Sequence, residues 1–155
     1  MRKKDREIKD TKELEEILQK ADVCRIAFAV DGIPYIVTMN FGHVWKDRLT
    51  LYFHCAKEGK KLELLKRNST VCFEMDIDHQ LVEAANACDW GMKYRSIVGL
   101  GLLEKVEEET EKKKGLDCIM DHYGFNGKKE YDEKVLNTTE ILKLTVTEFT
   151  GKKKN

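Results

Sequence analysis

Proline is almost missing from this chain: Pro34 is the only one, beside ten glycines. That excludes a flexible linker or a low-complexity segment. No apolar run approaches the roughly 18 residues that a membrane-spanning helix needs, so no membrane partner is expected. The opening MRKKDREIKD lacks the apolar stretch of a secretory signal, and a cytoplasmic location is expected. Charge of one sign is not in excess, since 28 Lys and Arg stand against 28 Asp and Glu. A chain built to coat nucleic acid needs a basic surplus, so no nucleic-acid partner is expected either. The five cysteines (24, 55, 72, 88 and 118) form no CxxC pair and share no ligand spacing with the four histidines. Reduced thiols and no metal site are the expectation. There is no GxSxG and no Ser–His–Asp arrangement to supply a nucleophile.

What the chain has is charge. Charged residues reach 36% against a usual ~25%. Even so, 155 residues with 41% hydrophobic content suffice for one domain with a core. Residues 1–9 read as a frayed, flexible tail. Asp10 and Glu13 are spaced as a capping box, and Leu14, Ile17, Leu18 and Ala21 give the helix that follows one apolar face. VCRIAFAV (23–30), PYIVTMNF (34–41) and LTLYFHC (49–55) read as a meander, with Asp31-Gly32 as a hairpin turn. A short helix carries Leu62, Leu64 and Leu65. TVCFEMD (70–76) alternates as a strand, 77–93 reads as a polar segment, and 94–106 reads as a long strand holding Gly99 and Gly101. Leu116, Ile119, Met120 and Tyr123 give a third helix its core face. Residues 124–140 read as a polar connection, and 141–149 as the last strand. The expected fold is mainly β: a six-stranded antiparallel barrel with flanking helices.

The most informative stretch is 49–65. A strand ends, Gly59 follows, and Lys60 and Lys61 stand at a helix start. Unpaired N–H groups, the helix dipole and two ammonium groups make a phosphate cradle there, and Gly59 lets backbone approach a ligand. A solvated surface helix fits the same pattern. His54 lies on the strand feeding this site. A histidine there can donate to a ligand or carry a proton, or it can simply bond to backbone. Trp90 can stack on a flat ligand or pack, and Arg95 can pair with an anion or with a surface carboxylate. With no nucleophile and no metal spacing, a phosphate cradle directs attention to a cofactor that carries the chemistry.

The sequence resembles the pyridoxamine 5'-phosphate oxidase-like FMN-binding split barrels, and within them the nitroimidazole-resistance (Nim) branch. The resemblance rests on PYIVTMNFG (34–42), LYFHCAKEGKKLELLKRN (51–68), VCFEMD (71–76) and ACDWGMKYRSIVGLGLLEKV (87–106), with LDCIMDHYG (116–124) and TEFTGK (147–152). It implies a single FMN-binding split-barrel domain over 10–152, in a homodimer with FMN at the interface. By position it implies FMN contacts from Thr38, Met39, Asn40 and Phe41, from His54 and Cys55, from Lys60 and Lys61 on the phosphate beside Gly59, and from Ser96 of the other subunit. FAD or haem are the lesser alternatives. Pyridoxamine-phosphate oxidases proper carry an Arg and a Lys where Val37 and Gly42 stand, so vitamin B6 oxidation is not the implied activity. The implied function is an FMN-dependent oxidoreductase acting on a small-molecule electron acceptor such as a nitroimidazole or nitroaromatic, with His54 catalytic. A flavin- or haem-binding module without turnover is the alternative.

Overall fold

A computed structural model describes residues 3–154. Strand β1 (Glu7–Ile8) is already part of the fold. It pairs with Lys152 and Gly151, and Ile8 is only 4% exposed. This corrects the frayed tail expected over 1–9, of which residues 1 and 2 lie outside the described residues. One isoleucine among charges is enough to dock the segment.

Asp10 then caps helix α1 (Thr11–Lys20), its side chain accepting from the Lys12 N–H at 2.9 Å. Leu14, Ile17 and Leu18 are buried on one face. Glu13 does not fold back to complete the capping box. Its carboxylate instead accepts from the Lys153 ammonium at 2.8 Å.

Asp31 and Gly32 both take positive φ, 54° and 75°, the pair of left-handed conformations a two-residue hairpin turn requires. They join β2 (Cys24–Val30) to β3 (Ile33–Met39). β3 is an edge strand, where Pro34 leaves no ladder bond unmade. The alternation through 34–41 predicts one strand, but the chain breaks at Asn40. From there β4 (Phe41–Trp45) pairs with β5 (Leu49–Ala56) instead. Helix α2 (Lys60–Arg67) follows, then β6 (Thr70–Val82), β7 (Gly91–Lys105) and, after two further helices, β8 (Thr139–Lys154). The strands run in the order β3-β2-β6-β7-β8-β5-β4, with β1 beside β8, and every pairing is antiparallel. The six strands expected are thus eight. β3 and β4 are opposite ends of this sheet yet are joined by Asn40 alone, so the sheet curls until its edges meet. The architecture is a mainly β, antiparallel split barrel with helices outside.

Two stretches that read as polar and irregular are ordered. β6 continues to Val82 and β7 begins at Gly91, so most of 77–93 forms a two-stranded arm. Arg95 fastens this arm to α1, donating to Glu16 at 2.6 Å and to Asp78 at 2.7 Å; it is a structural ion-pair hub. Within 124–140, Asp132 caps helix α4 (Glu133–Thr138), accepting from the Lys134 N–H at 2.7 Å. The third helix, α3 (Glu109–His122), lies over β4 and β5 and is capped by the Glu108 carboxylate.

Phe28, Phe41, Phe53 and Phe73 meet inside the barrel with Leu51, Ile97 and Leu144, all fully buried. A Cβ at Gly99 or Gly101 would lie 2.6 Å from a β8 carbonyl oxygen, and the ladder slips by one residue there. Those glycines therefore mark a bulge and a close backbone approach. Among the described residues, no helix is long and apolar enough to cross a membrane.

Gly42 is where α3 presses hardest on the sheet. A Cβ there would stand 2.3 Å from the Cys118 carbonyl carbon. Gly42→Ala should therefore cost about 1–3 kcal/mol through overpacking, read as a lower melting temperature. An unchanged melting temperature would mean that α3 can lift off β4 freely.

Candidate functional site

The site is built where three strand ends converge. β5 runs beside β8 with His54 opposite Ile141, Cys55 opposite Glu140 and Ala56 opposite Thr139. On its other side β5 pairs Phe53 with Phe41, so the chain break at Asn40 comes to lie level with His54. The end of β3 and the start of α2 complete the walls. Together they enclose an open cleft of about 440 Å³ lined by Val37, Thr38, Met39, Asn40, His54, Cys55, Ala56, Lys61, Thr138 and Thr139, a volume in the range of small-molecule sites.

Most of the residues singled out in the sequence arrive here. Thr38, Met39, Asn40, His54, Cys55 and Lys61 all line the cleft. Others do not. Phe41 is fully buried in the barrel core, because the break at Asn40 turns it onto β4 and inward. Lys60 points to β3, with its ammonium 4.6 Å from the centroid of the Tyr35 ring. Gly59 is the N-cap of α2 with φ 133°, a conformation that favours glycine. Ser96 sits in β7 between Asp76 and Lys152 and is only 8% exposed. It does not line the cleft of its own chain. Trp90 does not line the cleft; its indole N–H donates to the Ala84 carbonyl at 2.8 Å.

Thr138 and Thr139 were not recognisable in the sequence. They sit at the end of a short polar helix without apolar periodicity, and no motif marks them. The available signal was register: extending the last strand backwards places Thr139 opposite Ala56.

The chemistry of the lining is one-sided. It offers one ammonium group, the hydroxyls of Thr38 and Thr139, a carboxamide and an imidazole, and no carboxylate, while the Thr138 hydroxyl donates to carbonyls of its own helix. The first N–H groups of α2 have no carbonyl within the helix to bond. Burial pushes the Cys55 thiol up, despite the opposing pull of Lys61, so it stands protonated and is no thiolate nucleophile. His54 is exposed on the cleft wall, and among the described residues its imidazole makes no hydrogen bond. Asn40 is held from behind. Its Nδ2 lies 3.0 Å from the hydroxyl of Tyr123, at the end of α3.

A second cleft, of about 350 Å³, brings together two histidines from distant segments. The rings of His43 and His122 lie 6.0 Å apart, edge to face. Each is committed through Nε2, to the Glu15 carboxylate at 3.2 Å and to the Ala21 carbonyl at 2.9 Å. Burial holds the His122 imidazole below its ordinary value. Among the described residues, no three His, Cys, Asp or Glu side chains are placed to hold a metal ion.

Residues 10–153 match the family model of pyridoxamine 5'-phosphate oxidase. Among solved structures, the chain is similar to a candidate 5-nitroimidazole antibiotic resistance protein of Bacteroides thetaiotaomicron. The two are 35% identical over 94% of this chain and 85% of that one, with a TM-score of 0.80. The FAD and heme binding protein of Mycobacterium smegmatis shares the fold at 19% identity, covering 97% of this chain and 74% of that one, with a TM-score of 0.85. So does the flavocytochrome Anf3 of Azotobacter vinelandii, at 19% identity, 96% and 69% coverage, and a TM-score of 0.80. No curated protein matches the chain.

Proposed function

Because this chain belongs to the pyridoxamine 5'-phosphate oxidase family, we propose that the cleft holds FMN and that the protein is an oxidoreductase reducing small organic acceptors of the nitroimidazole or nitroaromatic class. The observation that carries the reading is the donor set. One cleft joins Lys61, in the first turn of α2, to a wall of hydrogen-bonding side chains, without a carboxylate. Such a lining suits a phosphate at one end and a polar ring system at the other. When bound, the flavin supplies electron transfer from a reduced donor to the acceptor. Lys61 and the start of α2 would hold its phosphate. Thr38, Asn40 and Thr139 would orient its polar atoms, and His54 would hold a proton at its imidazole for the acceptor. The Bacteroides protein, 35% identical, supports the acceptor class.

The test is the absorbance spectrum and the mass of the ligand that accompanies the purified protein. A yellow protein releasing FMN is expected. An FAD mass, a Soret band, or a colourless protein indifferent to added FMN would each overturn the cofactor assignment. Turnover of a nitroaromatic then separates an enzyme from a flavin carrier.

The assembly proposed is a homodimer. Val98, Leu100 and Leu102 recur on one face of β7 and are all exposed, although they lie in a central strand of the sheet. A contiguous apolar stripe in such a position needs cover, and a second copy provides it through a symmetric, self-complementary contact. Leu100→Lys together with Leu102→Lys should yield a monomer by sedimentation at micromolar concentration, whereas the natural protein sediments as a dimer. A natural protein that is monomeric with flavin bound would overturn this assembly.

A further inference from the structure

We propose that Tyr123 is a positioning residue of the cleft, fixing the Asn40 carboxamide so that its carbonyl oxygen, rather than its NH2 group, is presented to the ligand. The inference rests on reading the cleft as the flavin site and deepens it. It follows from counting protons. A phenol carries a single O–H. The Tyr123 oxygen lies 2.7 Å from the Asp22 carbonyl oxygen, and a carbonyl can only accept, so the phenolic proton goes there. The same oxygen must then accept from its other neighbours. These are the Phe41 N–H at 3.3 Å and the Asn40 side chain at 3.0 Å. The end of the Asn40 carboxamide that meets Tyr123 is therefore the NH2 end. The carboxamide is planar, with nitrogen and oxygen on opposite sides, so Oδ1 is turned away from Tyr123. Asn40 lines the cleft, and Oδ1 becomes the acceptor it offers there, suited to a ligand N–H or O–H.

The location gives this small device its reach. Asn40 is the one residue joining β3 to β4, where the barrel's two edges meet. Tyr123 grips that junction at two points and ties it to the loop after α1 through Asp22. Tyr123 is 43% exposed and Asn40 is exposed beside it, so water can replace the hydroxyl at the carboxamide; the one buried group left without its partner, the Phe41 N–H, should lower the melting temperature slightly without unfolding the chain. The expected consequence of Tyr123→Phe is thus a carboxamide free to rotate and flip, no longer held with Oδ1 toward the cleft.

The test is a double-mutant cycle on FMN affinity, read by flavin fluorescence. Tyr123→Phe and Asn40→Ala should each weaken binding roughly three- to tenfold, the scale of one neutral hydrogen bond. The double variant should be no weaker than the poorer single variant, because Tyr123 acts through Asn40. Melting temperatures should stay within a few degrees. Wild-type affinity in Tyr123→Phe, or losses that multiply in the double variant, would overturn the proposal. A second arm uses the flavin-free protein. The side-chain amide resonance of Asn40 in a nitrogen-edited NMR spectrum should move in Tyr123→Phe. If the natural protein binds no FMN, the flavin reading fails, and the orientation is decided by this arm alone, where an unchanged Asn40 resonance overturns it.

Discussion

Lys61→Ala is expected to weaken FMN binding by about tenfold or more, while Lys60→Ala costs far less. The two lysines look equivalent in the sequence, since both follow Gly59 at a helix start. The fold separates them. Successive residues on a helix point about a third of a turn apart, so only one can face the cleft. Lys61 lines it, and Lys60 lies over the Tyr35 ring. A charge-assisted bond to phosphate contributes roughly 1.5–3 kcal/mol, which is a tenfold to hundredfold change in affinity. Riboflavin supplies the control. It has the same ring system and no phosphate, so its affinity should be nearly the same in the natural protein and in Lys61→Ala. Both lysines lie on the outer turn of α2, and neither substitution disturbs its one buried residue, Leu62. FMN titrations that show equal affinity for the natural protein and Lys61→Ala would remove the phosphate from this end of the cleft.

That difference between two adjacent lysines shows what the sequence can and cannot carry. Features decided within a few residues were legible. The Asp31–Gly32 turn follows from the φ values those residues tolerate, and the buried face of α1 follows from the spacing of Leu14, Ile17 and Leu18. Features decided by pairing at a distance were not. Nothing local marks Asn40 as the point where the chain leaves one end of the sheet for the other, because the alternation through 34–41 is unbroken. The segment 77–93 reads as polar, yet β6 runs on to Val82 and β7 already starts at Gly91, held by ladder bonds and by the Arg95 ion pairs rather than by an apolar face.

The same divide runs through the site. The strand-to-helix passage at 54–61 was legible because strand, glycine and lysines are consecutive. Thr138 and Thr139 were hidden, since only the register of β8 against β5 brings them to the cleft. Ser96 was placed by resemblance, at the cofactor of a second subunit, and in its own chain it lies away from the cleft. Tyr123 fell at the right interval to face the core with Ile119. Its hydroxyl, seeking the carbonyl of Asp22 and the amide of Asn40, keeps it at the surface.

His54→Gln is expected to slow acceptor reduction by about 100-fold, the usual contribution of a general acid, while leaving FMN affinity and melting temperature nearly unchanged. His54 shares the cleft wall with Cys55, Ala56 and Thr139, level with the chain break at Asn40. Its imidazole is exposed and, among the described residues, takes no part in holding the fold together. That is the position of a side chain free to serve a ligand, and unlike His43 and His122 it is not committed to a carboxylate or a backbone carbonyl. Glutamine keeps a donor and an acceptor of similar reach but cannot deliver a proton near neutrality. The measurement is the rate of nitroaromatic reduction after chemical reduction of the flavin, which bypasses the donor step. A structural or purely ligand-binding role would instead change stability or affinity. An unaltered rate in His54→Gln would falsify the catalytic assignment, and the proton would then have to come from solvent through the open mouth of the cleft.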